Sequence, residues 1–427
     1  ALSEARGLVA AAGCEVVGDG IVQRVLRPDA STLLGSGKVL EIRGEVDRLA
    51  PDLVVIDNDL TPAQIRNLEK RLGKRVVDRS ELILDIFATR ARTRQARLQV
   101  ELAQVEYLMP RLRRMWTHLE RTEGAIGTRG PGETQLETDK RLIKRRIHDL
   151  RMQLAEIEAR KQREVRTRAE EFTIGLVGYT NAGKSTLLNA LTDSDELAAD
   201  MLFATLDTRT RRWRLRDGRR VLLSDTVGFL QRLPHHLVAS FHATLEEALS
   251  VDLLLHVVDG SHADAAVQMG AVDSVLADLV GPHRDVVLVL NKLDRVGDPL
   301  ALQHLVAGRP EPVVLVSART REGLAALDAL VSDRLDRRSA LVELAIPFTQ
   351  GRLLPELRRL GTVLSETYDA ERGALVRLRI PDRELGNLLR GAGAAVSVTV
   401  VEAAREPYAG QADSSGEQGE EPAPLRC

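Results

Sequence analysis

The residues best placed by type and spacing to do chemistry are Gly178, Tyr179, Thr180, Asn181, Ala182, Gly183, Lys184 and Ser185, followed by Thr186: a G-x-x-x-x-G-K-S run. An apolar run from Phe172 to Val177 precedes it, and Leu187, Leu188 and Leu191 follow at helical spacing. A glycine-rich loop between a strand and a helix turns its backbone N–H groups inward and adds the positive end of the helix, and together these hold a phosphate. Lys184 would reach the β- and γ-phosphates of a nucleotide, and the Ser185 hydroxyl would ligate Mg²⁺. A second strand pattern, Arg220 to Ser224, delivers Asp225-Thr226-Val227-Gly228. There a carboxylate can hold Mg²⁺ through water and a glycine N–H can touch the γ-phosphate. A third, Asp285 to Leu290, delivers Asn291-Lys292-Leu293-Asp294. An aspartate at that point accepts both N1–H and N2–H of guanine, a pair that adenine cannot supply, so the nucleotides are GTP and GDP rather than ATP. A fourth strand pattern, Val313 to Val316, ends in Ser317-Ala318, whose backbone N–H can meet the guanine O6, with Arg319 beside it. Every candidate ligand falls at the carboxyl end of a strand, as in open parallel α/β sheets.

This ordered set resembles the translation-factor-related P-loop GTPases. The fold class expected is therefore α/β: a GTPase domain over residues 172–338, closed by a helix from Gly323 to Asp336. Ahead of it, residues 1–87 alternate patterns of small α/β type. Cys14 to Val17, Leu53 to Asp57 and Arg75 to Asp78 read as strands of a parallel sheet, Lys38 to Leu49 and Pro62 to Leu72 as helices, and Leu8 to Cys14 as a helix with a buried thiol. Gly35-Ser36-Gly37-Lys38 lacks the first glycine of a phosphate loop and reads as a helix-starting turn. Residues 339–403 read as a small α+β domain with strands at Leu341 to Leu344, Ala374 to Ile380 and Val396 to Val401 and a helix at Leu353 to Leu360. Residues 404–427, dominated by Gly, Ser, Pro, Glu and Gln, read as a disordered tail.

Between the first two domains, residues 88–171 carry apolar positions at steps of three and four, Leu98 to Leu119 and Ile143 to Ile157, as expected of an antiparallel helical hairpin. The loop between the helices, Gly127 to Gln135, holds three glycines and a proline and is expected to be non-helical. This segment has twenty Lys and Arg against thirteen Asp and Glu, whereas the whole chain has a net charge of −2. Any RNA contact must therefore be a local patch, and Arg129, Gly130, Pro131, Gly132, Arg141, Lys144 and Arg145 are the candidates. Two cysteines, Cys14 and Cys427, at opposite ends exclude a disulfide framework or zinc cluster. No apolar run reaches the roughly 18 residues of a membrane helix.

Gly127-Thr128-Arg129-Gly130-Pro131-Gly132-Glu133-Thr134-Gln135-Leu136-Glu137-Thr138-Asp139, together with Leu82 to Ala88 and Arg90 to Thr93, resembles the signature of the HflX family of ribosome-associated GTPases. The resemblance implies a cytoplasmic protein that binds the large ribosomal subunit and splits or rescues stalled or idle ribosomes under stress; a monomer is expected, with transient membrane association left open. A GTP-dependent scaffold for ribosome assembly or RNA maturation is the alternative. By the same resemblance Leu202 to Asp207 is the first switch segment and Thr205 its Mg²⁺ ligand, with Thr208 as alternative. The catalytic set is then Lys184, Thr205 and Gly228. Phe229 stands where related enzymes place a glutamine that orients the attacking water, so hydrolysis by the isolated protein is expected to be slow.

Overall fold

The computed structural model describes residues 2–112, 131–167, 171–192, 209–225, 228–229, 251–280, 285–381 and 397–402. Its first region runs α1 (Leu2–Ala11), α2 (Ser36–Leu49), β1 (Leu53–Ile56), α3 (Pro62–Leu72), β2 (Arg75–Asp78) and α4 (Arg79–Arg90). β1 and β2 pair in parallel. Local chemistry sets the helix starts. Thr61 and Gln64 cap each other reciprocally ahead of Pro62. Gly35 is the residue before α2, so the Gly-Ser-Gly-Lys stretch is the helix-starting turn expected. Asp78 caps α4 by accepting from the Glu81 N–H at 2.8 Å, and it also accepts from the Tyr107 hydroxyl at 2.8 Å and from Arg111 at 3.0 Å.

Two expectations fail here. Cys14 to Val17 has no regular structure, and Cys14 is exposed rather than buried. Glycines at positive φ on either side, Gly13 at 80° and Gly18 at 80°, end α1 and turn the chain away, leaving the β-branched run too short to build a ladder.

The hairpin helices are α5 (Arg94–Leu112) and α6 (Pro131–Thr167). Leu98, Leu102 and Leu150 are buried together, with Ile147, Leu154 and Ile157 packed against them, so the two apolar stripes meet. The 37 residues of α6 make a rod, about 55 Å long at 1.5 Å per residue. It begins at Pro131, which corrects the expected non-helical loop through Gln135. A proline at the first helical position gives up an N–H that would have had no partner there, and its fixed φ already suits the helix. Gly127 to Gly130, Arg129 included, lie outside the described residues.

The central sheet contains β3 (Thr173–Gly178), β4 (Arg209–Arg214), β5 (Arg220–Asp225), β6 (Leu253–Asp259), β7 (Val286–Asn291) and β8 (Val313–Leu315). Its order is β4-β5-β3-β6-β7-β8, parallel except for the antiparallel edge strand β4. Helices α7 (Lys184–Thr192), α8 (Ala265–Val280) and α9 (Pro299–Val306) accompany it, and α10 (Leu324–Arg337) follows β8 in the chain. This is the α/β nucleotide-binding architecture that the motif order demands.

The C-terminal unit holds β9 (Ser339–Ile346), α11 (Leu353–Leu360), β10 (Thr362–Asp369), β11 (Gly373–Pro381) and β12 (Ser397–Glu402) in an antiparallel sheet of order β10-β11-β9-β12. β10 was not expected from sequence. It is an edge strand with Leu364 and Tyr368 exposed, so it lacks the buried alternation that marks a strand. The expected tail, 404–427, lies outside the described residues. Among the described residues no helix is long and apolar enough to cross a membrane.

Candidate active site

The phosphate loop joins the end of β3 to the start of α7. At Gly183 the backbone has φ +93°, and a Cβ there would lie 2.3 Å from the Asn291 Nδ2, so only glycine fits. Lys184, the first residue of α7, is buried, and its Nζ donates to the carbonyls of Gly178 and Tyr179, both at 3.0 Å. Burial pushes its ammonium pKa down to about 8, against the pull of the Asp225 carboxylate. The Ser185 hydroxyl donates to Asp225 Oδ2 at 2.7 Å, and Asp225 is fully buried at the end of β5. Gly228 lies over the loop: a Cβ there would meet Thr180 Cγ2 at 2.8 Å and Lys184 Nζ at 3.2 Å. Lys184, Ser185, Asp225 and Gly228, distant in sequence, thus converge around the loop. Asn181 takes the left-handed conformation at φ 63°, Ala182 is buried and Thr186 continues α7. Thr205, Thr208, Thr226 and Val227 lie outside the described residues.

Leu293 N–H donates to the Val316 carbonyl at 3.1 Å and Val316 N–H to the Leu290 carbonyl at 2.8 Å, which sets the segments carrying Asp294 and Ser317-Ala318, the candidate base readers, side by side. Asp294 is exposed, and its Oδ1 accepts from the buried Ser317 hydroxyl at 2.6 Å. Asn291 is committed to the protein itself. It donates to the Ala182 carbonyl and accepts from the Ala318 N–H, both at 3.0 Å, clamping the phosphate loop to the Ser317-Ala318 loop. Lys292, left-handed at φ 63°, pairs with Asp259 at 2.8 Å. Burial alone would raise the Asp259 pKa, but hydrogen bonds from Lys292 and Ser261 outweigh it and hold the carboxyl below its ordinary value. Arg319 is exposed next to Ala318.

Two sets of contacts were invisible in the sequence. The Tyr179 hydroxyl donates to Glu4 Oε2 at 2.9 Å, and Glu4 also pairs with Arg79, which pairs with Asp57. The phosphate loop is thereby bonded to the N-terminal region across 175 positions, for which no local pattern exists. Phe229 is 1% exposed and shares a core with Leu8, Ile83, Phe87 and Leu254. Its backbone binds the loop as well, with Phe229 N–H to the Gly178 carbonyl at 3.1 Å and Thr180 N–H to the Phe229 carbonyl at 2.7 Å. Of the candidate RNA residues, Arg141, Lys144 and Arg145 are exposed on α6, whose first turn contains Pro131 and Gly132.

Three family profiles match the chain: "GTP-binding GTPase N-terminal" over residues 1–88, "GTP-binding GTPase Middle Region" over 90–168 and "50S ribosome-binding GTPase" over 173–292. A GTPase HflX from Magnetococcus marinus is 45% identical over 84% of this chain and 83% of its own. One from Escherichia coli is 42% identical over 89% of each. The chain belongs to the HflX family of GTPases. As such it binds guanine nucleotide and hydrolyses GTP. Among solved structures, a GTP-binding protein from Sulfolobus solfataricus in complex with GDP is 25% identical, covering 78% of this chain and 94% of that one, with a TM-score of 0.44.

Proposed function

We propose that this HflX-family GTPase works in the cytoplasm as a monomer, binds the large ribosomal subunit, and uses GTP binding and hydrolysis to split or rescue stalled or idle ribosomes under stress. The observation that carries the reading is the pairing, in one chain, of a nucleotide domain similar to "50S ribosome-binding GTPase" with a long helix bearing exposed Arg141, Lys144 and Arg145. Mg²⁺ suits the oxygen donors at the phosphate end, the Ser185 hydroxyl and the buried Asp225 carboxylate, 2.7 Å apart, with Thr205 as a further ligand. When bound, the cation neutralises phosphate charge. Lys184 holds the β- and γ-phosphates, and the Gly228 N–H senses the γ-phosphate. Loss of that phosphate releases Gly228 and the Thr205 segment, and with them the affinity for the partner. A subunit-dissociation experiment is the test. Incubation with GTP should convert purified 70S ribosomes to subunits, and unchanged sedimentation profiles would refute the reading.

Isolated protein should hydrolyse GTP slowly, and purified large subunits should accelerate it. The Phe229 ring is packed into the core, so it cannot orient a water at that position; activation in trans supplies what the chain lacks. Phosphate release measured with and without large subunits checks this, and equal rates would contradict it.

The triple change Arg141→Glu, Lys144→Glu and Arg145→Glu should weaken ribosome binding and flatten its salt dependence, each lost contact removing roughly 0.7–0.9 from the log–log slope. GTP affinity of the free protein should not change, because α6 supplies none of the nucleotide ligands. Co-sedimentation across a salt series measures both quantities.

A further inference from the structure

The edge hairpin of the GTPase sheet carries a second basic surface. Residues 209–220 contain seven arginines, no lysine and a single acid, Asp217. That acid is engaged within the turn, where its carboxylate accepts from Arg219 Nε at 2.8 Å and from the Arg219 N–H at 2.9 Å. The β4–β5 register sorts the remaining side chains. Trp213 lies opposite Val221 and Arg211 opposite Leu223, and Trp213, Val221 and Leu223 are buried, which fixes the inner face. The other face presents Arg212 and Arg214 from β4 and Arg220 from β5, all exposed. Arg214 stands directly across from Arg220 in the antiparallel ladder. Like charges in that position destabilise a strand pair, and an external anion bound across them would relieve it. Arg212 has one carboxylate neighbour, Glu171 at 3.3 Å, and its side chain remains 67% exposed.

We propose that the outer face of this hairpin, through Arg212, Arg214 and Arg220, is a docking surface for the phosphate backbone of double-helical RNA. The inference rests on the ribosome-binding reading above and names a contact separate from the α6 patch. Two observations favour RNA over an acidic protein. Arginine alone is used, and its planar fork matches phosphate oxygens in a bidentate way that lysine does not. The aromatic of the hairpin, Trp213, is buried, which leaves no stacking platform for single-stranded bases, whereas duplex RNA is read through its backbone and shape. The site lies away from the ligand end of the strand: Arg220 opens β5 and Asp225 ends it, roughly 16 Å apart at 3.3 Å per residue, and Arg212 stands opposite Leu222, roughly 10 Å short of Asp225.

The test uses the full chain with Arg212→Gln, Arg214→Gln and Arg220→Gln combined, probed with a short RNA duplex, with purified large ribosomal subunits and with polyglutamate across a salt series. The wild type should bind the duplex, and the variant should bind it about tenfold more weakly at low salt, with a log–log slope smaller by about 2–3. Its thermal midpoint should not fall, since the like-charge pair is gone, and GTP affinity should be unaltered. Duplex affinity and slope equal to the wild type would overturn the proposal. So would a loss confined to polyglutamate, which would mark an acidic-protein surface. If the wild type binds the duplex but not large subunits, the ribosome reading fails and the hairpin site stands. If both proteins bind subunits and duplex identically, the hairpin site fails and the ribosome reading stands.

Discussion

Asp294→Asn will exchange guanine for xanthine preference, with GTP affinity falling by roughly 10⁴-fold, the penalty of a site whose polar pairs are mismatched. On the proposed reading the carboxylate accepts from two guanine N–H groups, whereas an amide must donate to one side. The Ser317 hydroxyl, 2.6 Å from Asp294 Oδ1, decides which side that is. Ser317 is fully buried and its N–H is fixed on the Glu322 carbonyl at 3.0 Å, so its hydroxyl continues to donate to the amide oxygen of the replacement. The amide nitrogen then faces the base, where it meets the 2-carbonyl of xanthine and opposes the 2-amino group of guanine. Calorimetric titration with GDP and xanthosine diphosphate measures the exchange. Full GDP affinity in the variant would show that Asp294 does not read the base.

Lys184→Ala will lower GTP affinity and turnover by about 10²–10³-fold, because a desolvated positive charge aimed at the phosphates has no substitute in the loop. The same lysine predicts a stability effect of opposite sign. Burial pushes its pKa from 10.5 down to about 8, so between these values the unfolded chain binds more protons than the folded one. The cost is fully present below about pH 8, and stability should rise as pH climbs from about 8 towards 10.5. Lys184→Met keeps the stem and removes the charge, so in the absence of nucleotide it should unfold at a higher temperature than the wild type at pH 7. The gap should close as pH approaches 10.5. Nucleotide should protect the wild type against unfolding and leave the methionine variant unprotected. A methionine variant still stabilised by GTP would dismiss Lys184 as the phosphate ligand.

The nucleotide chemistry was legible in the sequence because each part of it is local. A phosphate loop needs contiguous residues between one strand and one helix, and Asp225, Gly228 and Asp294 each follow directly on an apolar run that had to be a strand. The order of those runs therefore implied a parallel sheet with ligands at its carboxyl edge, and β3, β5, β7 and β8 occupy those places. Side-chain commitments at longer range were decided only by the tertiary structure. Asn291 reads as a nucleotide ligand by motif, yet both ends of its amide are used across 109 and 27 positions, as a clamp between loops. Tyr179 occupies a variable position of the loop, and its bond to Glu4 exists because the N-terminal region packs on the GTPase sheet. Phe229 could be recognised as unable to orient water, but that its ring is held in the core depended on which side chains meet it there. Weak local preferences were likewise overruled by their neighbours. Cys14 to Val17 found no ladder between its glycines, and Thr362 to Asp369 became a strand because β11 offered an edge. The hydrogen bonds that make a strand come from its partner, and the partner is set by the fold rather than by the segment.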